Sequence, residues 1–85
     1  MSKLVFTERA WDDYLFWQRV DKKMIKRINL LLKDIARNGH GGIGKPESLR
    51  YRDGWSRRID VENRIVYLVK DGCIEILQCR GHYED

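Results

Sequence analysis

Asp71–Gly72 lies between two β-rich runs, about 64–70 and 73–80, and no other dipeptide in the chain restricts the fold as much. Asp-Gly readily adopts the positive-φ geometry of a two-residue hairpin, so the flanking runs are expected to pair antiparallel. That turn sets Val69 opposite Ile74 and Tyr67 opposite Ile76. A further strand is expected over about 55–60. A three-residue loop at Val61–Glu62–Asn63 would align Ile59, Ile65, Tyr67, Val69, Ile74 and Ile76 on one face. Arg58, Asp60, Arg64, Val66, Glu75, Leu77 and Cys79 would occupy the other. This register leaves one apolar face and one mixed, basic face, whereas a two-residue loop would turn Arg58 into the core at the expense of desolvating a charge.

The first half of the chain has a different period. After a short strand at Leu4–Val5–Phe6, Thr7 is placed to cap a helix over about 8–19, with Trp11, Tyr14, Leu15 and Trp17 as its apolar stripe. Asp21 can cap a second helix in which Met24, Ile25, Ile28, Leu31, Leu32 and Ile35 recur at helical spacing, and Asn38–Gly39 ends it. The segment HGGIGKPE (40–47) reads as a loop that enters a short strand near 48–51. The expected fold is α+β: two N-terminal helices packed on one face of a mainly antiparallel sheet of about five strands. All 85 residues form one domain in this reading.

Several function classes drop out. No apolar run approaches the roughly 18 residues of a membrane span. The start, MSKLVFTERAW, lacks the apolar stretch of a secretory signal, so a cytoplasmic location is expected. Cys73 and Cys79 are six positions apart on one strand, roughly 20 Å at about 3.3 Å per residue, and cannot bridge within it. No C-x-x-C is present and His40 and His82 are far apart, so neither zinc nor any other cofactor is expected. The glycines at 39, 41, 42 and 44 lack the Lys–Ser/Thr ending of a nucleotide-phosphate loop. The net charge of +4 is uneven. Lys22, Lys23, Lys26, Arg27, Lys33 and Arg37 face only Asp34 within 22–37, and Lys45, Arg50, Arg52, Arg57, Arg58 and Arg64 follow. A polyanionic partner fits this distribution, as does a solvated basic helix face.

RNA carries its own nucleophile, the ribose 2′-hydroxyl. Cutting it takes a base for that proton, a cation on the phosphate and an acid for the departing 5′-oxygen. Glu47, Arg64 and His82 are candidates for those roles. Arg50 and Arg58 can hold adjacent phosphates, with Lys45 and Arg57 as further basic candidates, and Tyr83 can stack on a base or orient an oxygen. Structural readings compete at each position. Glu47 can pair with Arg50, Arg64 can form a cross-strand pair with Asp60, His82 can be solvated, and Tyr83 can pack over a sheet edge. Simple alternation places His82 on the face opposite Arg64, so the strand must bend or bulge near its end. Gly81 permits this.

The ordered set AWDDYLFWQ (10–18), DKKMIKRINLLLKDI (21–35), GIGKPESL (42–49), WSRRI (55–59), ENRIVYLV (62–69) and the near-terminal HY (82–83) resembles the YoeB branch of the RelE-like toxins. The resemblance covers nearly the whole chain and implies a RelE-like, microbial-ribonuclease-type fold. Carried over residue by residue, it implies Glu47 as general base, Arg64 as phosphate-binding arginine, His82 as general acid and Tyr83 as the tyrosine that usually closes the chain. Arg50 and Arg58 match accessory basic positions. It further implies metal-independent cleavage of mRNA in the bacterial ribosomal A site, leaving a 2′,3′-cyclic phosphate or its hydrolysis product. The implied partners are a YefM-like antitoxin, operator DNA only through that antitoxin, and a second copy of the chain. Ser48 departs from the usual second proline of K-P-E-P-L, the stretch between Leu49 and Trp55 is about two residues short, and Glu84–Asp85 extend past the tyrosine. Two other functions share the scaffold: a non-catalytic, ParE-like toxin acting on DNA gyrase, and a degenerate module that binds only antitoxin and operator.

Overall fold

A computed structural model describes residues 2–82. In chain order the elements are β1 (Lys3–Phe6), α1 (Glu8–Val20), α2 (Lys22–Asn38), β2 (Glu47–Ser48), β3 (Trp55–Arg58), β4 (Arg64–Lys70) and β5 (Cys73–Gln78). The expected fold is the observed one. Five strands lie in the order β1-β5-β4-β3-β2, with β1 parallel to β5 and every other pair antiparallel. No helix among the described residues is long and apolar enough to cross a membrane.

The helix ends follow from their capping residues. Thr7 Oγ1 accepts the Ala10 N–H at 3.1 Å and donates to the Leu77 carbonyl at 3.1 Å, so the cap also ties α1 to β5. Asp21 serves two helices at once. Its N–H donates to the Trp17 carbonyl to close α1, and its Oδ1 accepts from Lys23 and Met24 to open α2. Gly39 closes α2 by donating to the Ile35 carbonyl.

The Asp71–Gly72 turn pairs Val69 with Ile74 and Tyr67 with Ile76, as expected. Ile28, Leu31, Leu32 and Ile35 of α2 pack with Ile59, Ile65, Tyr67, Ile74 and Ile76 to form the core. Val69 shares their face but is 44% exposed.

Four expectations need correction. The stripe on α1 is displaced, because Ala10 and Asp13 are buried while Trp11 and Leu15 are 49% and 39% exposed. Trp11 stacks on Tyr14 instead, with Phe6 edge-on to both rings. The strand after the glycine-rich loop starts earlier and is shorter, so Glu47 itself is on β2. The β3–β4 connection has five residues, since Arg58 pairs with Arg64. Asp60 causes this by accepting the Glu62 and Asn63 N–H groups at 2.8 and 2.7 Å, which curls the chain before a longer ladder can form. A slip of two residues preserves side-chain parity, so the faces stay as expected.

The fourth correction concerns β5. Tyr67 pairs with Ile76 but Val66 pairs with Gln78, leaving Leu77 as the extra residue of a bulge. Parity inverts from there. Cys79, expected on the open face, joins the core, where burial pushes its thiol up to about 12. It is a packing residue, not a nucleophile.

Candidate active site

The open face of the sheet is built by strand pairing. Glu47 of β2 sits beside Ser56 of β3, Ser56 beside Val66 of β4, and Val66 beside Gln78 of β5. Two residues along β3 and β4, on the same face, Arg58 and Arg64 are direct neighbours. Like charges placed opposite each other destabilise a sheet. Their juxtaposition concentrates positive charge on this face, which a nearby anion would offset.

A cleft of about 280 Å³ opens there, lined by Glu47, Arg50, Ser56, Arg64 and His82 together with backbone and side chains of 48–49. Arg64 Nη1 is 3.2 Å from Ser56 Oγ and 3.8 Å from Glu47 Oε2. The Glu47 and Arg64 side chains are 56% and 21% exposed, so this contact is a weak, solvent-screened pair that a substrate can displace. The cross-strand partner expected for Arg64, Asp60, is occupied in its own turn. Although burial opposes it, the hydrogen bonds from Glu62 and Asn63 hold the Asp60 carboxyl below the usual value. Arg58 has a buried Nε with no hydrogen-bond partner among the described residues.

His82 reaches this cleft through two departures from a regular strand, the Leu77 bulge and the turn at Gly81. With parity inverted after residue 77, Gln78 takes the face of Arg64 and Cys79 the core, and beyond the ladder Arg80 lies over the Phe16 ring of α1 at 3.6 Å. The bend expected at Gly81 is present, with φ of +85°, and lies directly before His82. Beyond Gln78 the Arg64 N–H still donates to the Gly81 carbonyl at 3.0 Å, which keeps the terminal segment beside β4.

The other candidates separate. Arg50 lines the cleft and Arg58 shares its face, whereas Lys45 is exposed in the loop before β2, with φ of +51°. Arg57 is withdrawn from the basic set. It lies on the core side with no exposed surface and bonds Asp34, the carbonyls of Gly39, Gly41 and Ile43, and the Tyr67 hydroxyl. Alternation alone puts it opposite Arg58. Its hydrogen bond holds the Asp34 carboxyl below the ordinary value despite some desolvation. Gly42 allows this packing, since a Cβ there would be 2.0 Å from Asp34 Oδ2. Tyr83 lies outside the described residues. Ser56 escaped the sequence reading, although its two-residue spacing from Arg58 was a usable signal. Among the described residues no three His, Cys, Asp or Glu side chains gather closely enough to hold a metal ion.

Comparison with known proteins bears on this arrangement. Residues 6–83 match the family described as YoeB-like toxin of bacterial type II toxin-antitoxin system. The toxin YoeB of Synechocystis sp. is 52% identical over 84 residues, which cover 96% of this chain and 98% of that protein. The YoeB dimer from Staphylococcus aureus superposes with a TM-score of 0.89 at 49% identity, covering 96% of this chain and 98% of the other. The YoeB–YefM complex from the same organism gives a TM-score of 0.87 at 46% identity, with 98% and 99% covered.

Proposed function

This chain belongs to the YoeB-like toxins of bacterial type II toxin–antitoxin systems, and from that premise we propose that it is a ribosome-dependent mRNA endoribonuclease. The observation that carries the proposal is the gathering of Glu47, Arg64 and His82 around one open cleft, with Arg58 beside Arg64. These are the parts that transesterification of RNA requires, and they come from three separate segments of the chain.

In the proposed reaction Glu47 takes the proton of the 2′-hydroxyl. The 2′-oxygen forms a bond to phosphorus as the P–O5′ bond breaks. His82 gives its proton to the leaving O5′, so the products are a 2′,3′-cyclic phosphate and a 5′-hydroxyl end. Arg64 and Arg58 hold the non-bridging oxygens as charge develops on them, and Arg50 and Lys45 are assigned to neighbouring phosphates. Tyr83 is assigned to stacking on a base or orienting an oxygen. The protein groups provide both proton transfers and the charge stabilisation, so no step is assigned to a metal.

The cleft is open, and its Glu47–Arg64 contact is loose. Such a site binds single-stranded RNA poorly unless another body presents the scissile phosphate in line, which is the role proposed for the ribosomal A site. Cutting mRNA there would stop translation. By analogy with the two Staphylococcus structures, a YefM-like antitoxin and a second copy of the chain are the proposed protein partners, with operator DNA reached through the antitoxin.

Primer extension on an mRNA under translation in vitro tests this reading, with the wild-type chain run beside His82→Ala. Discrete A-site cuts that vanish in the variant are expected. A folded wild-type chain on engaged ribosomes that makes no cuts overturns it.

A further inference from the structure

We propose that Asn63 is a positioning residue that aims His82 at the phosphate held by Arg64. The inference rests on the reading of His82 as the general acid and adds a residue to which that reading gave no role.

The segment that carries His82 has left the sheet. Regular pairing of β5 stops at Gln78. The two backbone polar groups of Cys79 then turn to α1: its N–H donates to Asp13 Oδ2 at 3.1 Å, and its carbonyl accepts from Trp17 Nε1 at 2.8 Å. From Arg80 onward no ladder fixes the chain. Gly81, with φ of +85° and open space where a side chain would begin, adds freedom where an acid needs to be held. An imidazole on such a tether would sample many directions and rarely meet O5′.

Two neighbouring residues remove that freedom. Asn63 Oδ1 accepts the Gly81 N–H at 2.8 Å, and the Arg64 N–H donates to the Gly81 carbonyl at 3.0 Å. The glycine just before His82 is thus gripped on both sides by one dipeptide. Gln78 Nε2 adds longer contacts to the carbonyls of Arg80 and His82, at 3.3 and 3.4 Å. The Asn63 amide is itself oriented. Its Nδ2 donates to Asp60 at 3.1 and 3.3 Å, while Asp60 Oδ1 also accepts the Asn63 N–H. A flipped amide would set its oxygen against that carboxylate, so the oxygen is left for Gly81. Because residue 64 supplies both the phosphate-binding guanidinium and half of the grip, acid and clamp keep a fixed relation.

Single-turnover cleavage on translating ribosomes tests the proposal with Asn63→Ala, His82→Ala and the double variant. Each is run on mRNA with an ordinary scissile phosphate and on mRNA with sulfur in place of the 5′-bridging oxygen. A thiolate leaves without being protonated, so a defect in the acid step disappears on the sulfur substrate. Asn63→Ala is expected to slow the ordinary substrate about ten- to hundredfold, to add nothing to His82→Ala, and to recover on the sulfur substrate. That recovery also shows the variant to be folded. A loss of equal size on both substrates, or one that adds fully to His82→Ala, overturns the proposal. So does an Asn63→Ala chain of wild-type rate when His82→Ala is slow, and that outcome leaves the acid role standing. If His82→Ala itself cleaves at the wild-type rate, the acid role fails and the Asn63 inference falls with it.

Discussion

Arg57 and Arg58 are adjacent in sequence and opposite in every physical respect. Arg57 points into the core, where Asp34, three backbone carbonyls and the Tyr67 hydroxyl match the five N–H donors of its guanidinium. Arg58 points to the open face, lies against Arg64, and has a buried Nε without a partner among the described residues. A fully partnered charge fixes shape: Arg57 ties the end of α2 and the glycine-rich loop to β3, and that loop leads to Glu47. A charge confronted by another of the same sign, with donors left over, suits an incoming anion. Charge count along the chain cannot separate the two uses, whereas partner count in space can.

The largest expected effect is on the core side. Arg57→Ala takes the countercharge from Asp34, which keeps only the hydrogen bonds from Asn38 and Ile43, and removes the guanidinium donors to the Gly41 and Ile43 carbonyls. It is expected to cost about 3–5 kcal/mol of stability, read by urea unfolding. Arg57→Lys keeps the charge but loses the planar fork, and should recover only part of it. Full stability in either variant would break the comparison. Next is Arg64→Ala, expected to lower single-turnover cleavage about 10²- to 10³-fold with a melting temperature near that of the wild type. Parallel losses of rate and stability would mean that the two arginines are not different in kind.

Arg58→Gln sharpens the contrast because its two effects run in opposite directions. Relief of the repulsion across β3 and β4 should raise stability by about 0.2–1 kcal/mol, while cleavage slows. Destabilisation would show that Arg58 holds the sheet together. The smallest effect is a pH dependence. The bond from Arg57, against opposing desolvation, depresses the Asp34 carboxyl in the folded state. Its stabilisation is therefore present above the ordinary aspartate value and is lost as pH falls through the depressed one. The stability gap between wild type and Asp34→Asn should shrink on acidification, whereas a gap that widens would reverse the sign.

Residues that act on near neighbours were legible in the chain. Thr7, Asp21 and Gly39 bond within a turn of themselves, and Asp71–Gly72 needs only its own backbone to set the β4–β5 register. The gathering of Glu47, Arg64 and His82 was legible in another way, through resemblance, since their segments lie far apart along the chain. Ser56 and Asn63 went unseen because their importance depends on a neighbour in space. The exposure of Trp11 and Leu15 was likewise out of reach, as an apolar stripe does not say which of its edges the sheet covers.

Periodicity, capping residues and the Asp-Gly turn determined the order of elements, the mainly antiparallel sheet and its division into an apolar and a basic face. A slip of two residues at the β3–β4 turn left that division intact because strand parity repeats every two residues. Tertiary structure alone decided what depends on an odd shift or on a distant partner. The Leu77 bulge inverted parity by one and buried Cys79, and the turn at Gly81, held by Asn63 and Arg64, brought His82 to the cleft of Arg64. Asp13 and Trp17 then took over the backbone of Cys79 from 66 and 62 positions away, and Asp34 made the core a stable place for Arg57. Those contacts join groups that only the folded chain brings within bonding distance.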